Sequence, residues 1–391
     1  MSIKVFAPWP SFSAKEIDAV AAVLKSNKIN YWTGDEGRQF ETEFARFAGT
    51  KYAIALANGT VALDLALHGL GIGANNGGSA VDEVVVTPRS FMASVSSVVN
   101  AGARPVFADV DRTSQNITPE TVQPVLSEHT RAILCVHLAG WPCDMDGFRS
   151  LVGARNIALV EDCAQAHGAL YKGRPVGGLG DVAAWSFCQD KIMTTGGEGG
   201  MVTCNDRALW RKMWEYKDHG KSWDAVYNTQ HPPGFRWLHE SFGTNWRLTE
   251  MQSALGRVQL QMMPDWHEQR TRNAQRLAEL LAGFTGEDGP LELVLGTPQI
   301  EHAYYKLYAF VRPENLPQGE TRDTLVAYFN AQGLPCFHGS CPEIYVEKAF
   351  DGTGLRPAER LPTAQALGEN SLMFLVHPGA SYDDIQVSWP R

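Results

Sequence analysis

Lys191 stands between two apolar runs, 182–187 and 201–204, and is followed by the glycine-rich string Gly196, Gly197, Gly199 and Gly200. A lysine flanked by two buried strands, beside a hinge that lets backbone approach a ligand closely, is suited to hold a carbonyl compound as a Schiff base. Most lysines are solvated surface charges and a glycine run is often only a flexible turn, so a second group is needed. It comes from the run 157–162, which ends in Glu161-Asp162. A carboxylate at the carboxyl end of a buried parallel strand lies where open α/β sheets bind ligands, although Asp also serves as a helix N-cap. A lysine that forms an imine and an aspartate that keeps a pyridine nitrogen protonated together match the chemistry of pyridoxal phosphate.

A sheet is needed to position these two groups. An apolar run from Tyr52 stops at Asn58-Gly59-Thr60, after which Leu63, Leu67 and Leu70 recur at helical spacing. Free amides at a helix start, with a glycine and a hydroxyl, make an anion site, though an ordinary Asn-Gly turn and cap reads the same. Further strand-like runs at 84–88, 105–110 and 132–137 alternate with polar or helical sequence. This alternation predicts a mostly parallel sheet with helices on its faces. Upstream, Ser13 and Glu16 form a capping box, and Ile17, Val20, Ala21 and Leu24 predict an N-terminal helix packed on the body. Phe40, Phe44 and Phe47 predict a second helix with an aromatic face in the core.

Segments from Asn58 to Arg247, above all VEDCAQAHGALYKGRPVGGLGDVAAWSFCQDKIMTTGGEGGMV, resemble the DegT/DnrJ/EryC1/StrS sugar aminotransferases, fold-type I pyridoxal-phosphate enzymes. The resemblance implies an aspartate-aminotransferase-like α/β large domain with a mostly parallel seven-stranded sheet, plus a smaller α/β C-terminal domain. It implies that Lys191 carries the cofactor and, once freed, moves the proton between the donor Cα and the cofactor. Asp162 would pair with the pyridine nitrogen, Gly59, Thr60 and Ser186 would hold the phosphate, Phe91 would stack on the ring, and Gln165 would reach the phenolic oxygen. The family's SGT serine is Asn58 here, and the first Phe of its FSF-x-x-x-K is Trp185. Asn245, in the family's GxNxR pattern, would reach the partner subunit's cofactor phosphate, which implies a homodimer with shared active sites; Arg247 reads equally as structural. His137 fits either an interior histidine or a site residue and is not assigned. His338 and Lys306 are candidates to neutralise substrate phosphate or carboxylate, against ordinary solvated roles.

Composition sets the outer limits. The 391 residues allow one large domain and a smaller one, and 44% hydrophobic with 20% charged residues is ordinary for a soluble globular chain. A net charge of −9 argues against nucleic-acid or anionic-membrane surfaces, so no such partner is expected and a phosphorylated ligand needs a local positive pocket. Seven cysteines without a C-x-x-C pair point to reduced thiols and no metal site. With no apolar leader or membrane-length run, the chain is expected to be cytoplasmic.

The aromatic-rich stretch 210–246 reads as a substrate wall or a subunit interface. Helical patterns on either side of Pro264 place a domain boundary there: 1–264 as the cofactor-binding domain and 265–391 as a linking helix and small domain. Within the latter, strands are expected at 303–311, 334–337 and 372–376, with helices at 321–332 and 363–368. The chain ends soon after Asp384, where family members continue into a final helix, so an altered terminus is expected.

The function implied is transfer of an amino group from an amino acid, L-glutamate as the expected donor, to a keto-sugar, most often nucleotide-linked. The product would be an amino sugar for polysaccharide or glycan biosynthesis, such as a lipopolysaccharide O-antigen. Alternatives are a free keto-sugar acid or keto-cyclitol as acceptor, a sugar dehydratase, which in relatives replaces the lysine by histidine, and a non-catalytic cofactor-binding regulator. A dinucleotide-binding dehydrogenase is disfavoured because no G-x-G-x-x-G follows the first strand.

Overall fold

The structure, a computed structural model, describes residues 6–388; residues 1–5 and the chain end at 389–391 lie outside the described residues. The apolar runs form one large sheet from β1 (Tyr52–Leu56), β2 (Glu83–Val86), β3 (Arg104–Phe107), β4 (Thr130–Val136), β5 (Ala158–Asp162), β6 (Val182–Ser186) and β7 (Gly200–Cys204). Their spatial order is β1-β7-β6-β5-β4-β2-β3. Only β7 runs against its neighbours, β1 and β6; the other pairings are parallel. Every residue of β6 and β7 is buried, as continuous apolar strands covered on both faces require. The carboxyl ends of β5 and β6 therefore lie side by side, with Asp162 opposite Ala184, and Lys191 sits in the turn between β6 and β7.

The helix Glu36–Phe47 buries Phe40 and Phe44 against Trp185 and Phe187, with Phe47 partly buried beside them, so the aromatic stripe is core. The N-terminal helix Ala14–Ser26 forms as expected, and Glu16 accepts from both the backbone N and Oγ of Ser13. Its inward face differs from the apolar face read in the sequence: Ile17 and Leu24 are exposed, while Glu16 and Val23 are buried. The reason is that Glu16 is satisfied on both sides, by its cap and by Gln259 Nε2 at 2.8 Å from the adjacent long helix.

That long helix, Glu250–Leu280, runs 31 residues with Pro264 inside it, so the two helices expected on either side of the proline are one. Packing on both Ala14–Ser26 and Glu36–Phe47 offsets the hydrogen bond a mid-helix proline removes. Beyond it, Leu291–Leu293, Leu307–Val311, Ser371–Phe374 and Cys336–Phe337 form an antiparallel sheet in that order, with helices Arg322–Ala331 and Pro362–Asn370.

The strand expected at 303–311 is shorter, because residues 303–306 leave the small sheet and bond to the turn that follows β4. Ala303 N donates to Gly140 O at 2.9 Å and Tyr305 N to Ala139 O at 2.9 Å. Ala139 and Gly140 have φ of 58° and 97°, a left-handed turn that offers these carbonyls to the incoming strand. Among the described residues no helix is long and apolar enough to cross a membrane.

Candidate active site

The helix Gly59–Leu70 starts where β1 ends, capped by Asn58, whose side chain accepts from Val61 N at 3.0 Å. Asn58 thus performs the capping that a serine performs as well. A Cβ on Gly59 would lie 2.6 Å from Ser186 Cβ and 3.1 Å from its Cα, so the helix start rests directly on the end of β6 and only glycine fits. Gly59, Thr60 and Ser186 are brought together at the positive end of a three-turn helix, a cradle suited to a phosphate.

Asp162, at the end of β5, is buried; Oδ2 accepts from Ser94 Oγ at 2.8 Å and Oδ1 from Ala164 N at 3.1 Å. Burial pushes its carboxyl pKa up, and the Ser94 donor only partly offsets this. Such a carboxylate calls for a cationic partner. Phe91 lies one helical turn before Ser94 and is 71% exposed, unusual for a phenylalanine, so its face is free to stack. Gln165 Oε1 accepts from Ala139 N at 2.7 Å, which leaves the amide NH2 as the end available to a ligand.

Below Asp162, the neighbouring Glu161 accepts from His137 Nε2 at 3.0 Å and from the backbone N of Gly177, Leu179 and Gly180. Burial opposes its charge, yet these donors hold the Glu161 carboxyl below its usual range. His137 Nδ1 in turn accepts from Cys143 N at 3.0 Å. His137 is therefore a fully satisfied interior histidine, and this buried pair stiffens the end of β5 that carries Asp162.

Lys191 is held through its backbone, its carbonyl accepting from Trp9 Nε1 at 3.0 Å. Its Nζ lies 3.8 Å from Asp190 Oδ1 and 5.1 Å from the centroid of the Tyr305 ring. Lys306 reaches the same ring, with Nζ 4.8 Å from its centroid. Burial lowers the Lys306 pKa to about 8; Asp190 opposes the fall, and the Arg270 and Lys191 cations add to it.

His338 goes elsewhere. It is exposed, with Nε2 3.2 Å from Asp323 Oδ1, and among the described residues it has no bond to the Lys191 cluster. Asn245 lies on an exposed arm and pairs by backbone with Asp218, while Arg247 is structural, donating to Asp218 Oδ1 at 2.6 Å. Ser94, Asp190 and Tyr305 were not singled out by sequence reading. Asp190 adjoins Lys191 in the QDK string and Tyr305 adjoins Lys306, so adjacency was the available signal.

The glycine cradle, the buried carboxylate and the inward lysine fit pyridoxal phosphate as a set: anion site, partner for a ring cation, and amine. The model of the DegT/DnrJ/EryC1/StrS aminotransferase family matches residues 10–387. The chain is 38% identical over 257 residues, 66% of each chain, to GDP-perosamine synthase of Escherichia coli O157:H7. It is 32% identical over 372 residues to dTDP-3-amino-3,4,6-trideoxy-alpha-D-glucose transaminase of Streptomyces venezuelae, covering 95% of this chain and 89% of that one. Among solved structures, the aminotransferase from Psychrobacter cryohalolentis is 60% identical, with a TM-score of 0.91 over 97% of this chain and 96% of that one. The chain belongs to the DegT/DnrJ/EryC1/StrS aminotransferase family and is a pyridoxal-phosphate-dependent sugar aminotransferase.

Proposed function

We propose that this enzyme moves an amino group from L-glutamate to the keto group of a nucleotide-linked sugar, with Lys191 and Asp162 as its catalytic residues. The observation that carries this reading is the convergence of Lys191, Asp162 and the Gly59–Ser186 contact at the carboxyl ends of β5 and β6. The names of the two relatives, a GDP- and a dTDP-linked sugar, support the nucleotide. Amino sugars of this kind serve surface-polysaccharide biosynthesis, the pathway we assign.

Bound pyridoxal phosphate supplies a carbonyl for the amine and an electron sink for the carbanion. Asp162 holds a proton on the ring nitrogen, and Ser94 keeps its carboxylate aimed. Gly59, Thr60 and Ser186 anchor the phosphate, Phe91 covers one face, and Gln165 donates to the phenolic oxygen. Lys191 would hold the cofactor through its amine, and as a free amine its Nζ would accept a proton from the donor as general base and give it back as general acid. Lys306, beside Lys191, neutralises a substrate anion, and His338, paired with Asp323, is given no part in it. Donor and acceptor use one site in turn, so the kinetics are ping-pong.

Three exposed aromatic side chains on the arm 228–245, Phe235, Trp237 and Phe242, at 78%, 84% and 99% exposure, support a second copy of the chain as their cover. The active unit in this reading is a homodimer, with Asn245 completing the partner's phosphate site, and it works in the cytoplasm.

The test is the visible spectrum of the purified protein loaded with cofactor. Wild type should show a visible band of lysine-bound cofactor that bleaches with L-glutamate and returns with a nucleotide-linked keto-sugar. Lys191→Ala should show no such cycle. A band that ignores glutamate would sink the proposed donor, and recovery only with a free keto-cyclitol would sink the nucleotide.

A further inference from the structure

The turn that carries Lys191 and the segment 303–306 meet around a single ring. Tyr305 is buried, and its hydroxyl donates to Asp190 Oδ2. The other carboxylate oxygen, Oδ1, faces Lys191 Nζ at 3.8 Å. Both the Lys191 and the Lys306 ammonium lie against the Tyr305 ring, whose π face attracts each of them. One side chain thus fixes an anion and a second cation around the amine.

We infer that Tyr305 is the positioning residue of the catalytic lysine, setting the basicity of the Lys191 nitrogen by holding Asp190 against it and Lys306 beside it. The inference rests on the assignment of Lys191 as the cofactor lysine and goes beyond it in saying what tunes that lysine. Burial opposes the charge on Asp190, but Lys191 and the Tyr305 hydroxyl keep its carboxyl below the usual range, so it is a fixed negative charge. Lys306 is the opposing charge.

Two other titratable groups act on this nitrogen, Asp162 from β5 and His167 from the turn after β5, whereas Arg270 of the long helix acts on Tyr305 and His377, after the last strand, on Lys306. His167 and His377 are held neutral by burial, at about 3 and about 4. Arg270 donates to Tyr304 O at 3.1 Å, and burial lowers its pKa to about 9. Among these groups, only Asp190 and Lys306 are held on the Tyr305 side chain, one at its hydroxyl and one at its ring face. They are the pair that opposes itself.

The experiment is a pH titration of the visible band of the holoenzyme, a readout independent of turnover. Asp190→Asn removes the anion, so the nitrogen should lose its proton at a pH lower by about 1 unit. Lys306→Met removes the cation, so the midpoint should rise. Tyr305→Phe keeps the ring and loses the hydroxyl, so its midpoint should shift in the direction of Asp190→Asn and by less, with kcat falling more than the KM for donor changes. Retention of the band in each variant shows that the protein is folded and loaded; if one variant fails to load, the signed shifts of the other two still decide. Unmoved midpoints, or shifts of one sign in Asp190→Asn and Lys306→Met, overturn the inference. A band that survives in Lys191→Ala removes the premise instead, and so separates failure of the lysine assignment from failure of the tuning.

Discussion

Asp162 bears two opposing demands. In the protein alone its carboxylate is buried beside a single hydroxyl and one amide, so its pKa is raised and its charge costs stability at neutral pH. With a ring cation opposite, the same charge is compensated. The sign follows: a carboxyl whose folded pKa lies above its unfolded value favours the fold at low pH and disfavours it once pH passes through both. Asp162→Asn should therefore stabilise the cofactor-free protein at neutral pH, while slowing amino transfer on the order of a hundredfold. Denaturant melts without cofactor, paired with single-turnover rates with it, measure both; a variant that is less stable and equally fast would remove Asp162 from its role. The placement of Lys191 and Asp162 at strand ends was legible in the sequence from apolar runs and glycines, whereas Gly59 and Ser186 were drawn from the family resemblance. Tyr305 and Asp190 were not legible, because a contact between residues 115 positions apart has no local signature.

At the scale of elements, the crossing segment 303–306 brings Tyr305 and Lys306 to the turn that carries Lys191. Sequence periodicity located nearly every strand of both sheets. It overextended the strand at 303–311, because apolar alternation continues through residues 303–306 although their hydrogen bonds go to Ala139 and Gly140. It also divided the long helix at Pro264, since propensity does not see the two helices that pack along it. The arm makes a sharper prediction. If Asn245 serves the partner's site, then Lys191→Ala and Asn245→Asp chains, each inactive alone, should on mixing and exchange regain roughly a quarter of wild-type activity, because half of the hybrid dimers' sites carry neither lesion. Recovery absent from mixtures shown to contain hybrids would place Asn245 in its own chain's site.

Among the described residues, burial holds His167, His302 and His377 neutral. Burial lowers His167 and His302 to about 3 and His377 to about 4. Each is neutral when folded and takes a proton when unfolded below its ordinary pKa of about 6.5. Their contribution to stability is therefore complete above that pH and is lost as pH falls toward 4, at up to roughly 1.4 kcal/mol per pH unit for each. Urea midpoints measured down from neutrality should fall steeply over this window, and His302→Gln should flatten the slope; a flat profile would mean these histidines are protonated in the folded state.

Trp9 closes on the carbonyl of Lys191 across 182 positions, and Tyr305 closes on Asp190 across 115. The pocket is thus closed by contacts between segments far apart in the chain. Long closures are the slowest to be repaid in a folding chain. Competence to bind the cofactor therefore waits on these closures, and a captured cofactor is a certificate that the segments around Trp9 and Tyr305 have both reached the turn that carries Lys191.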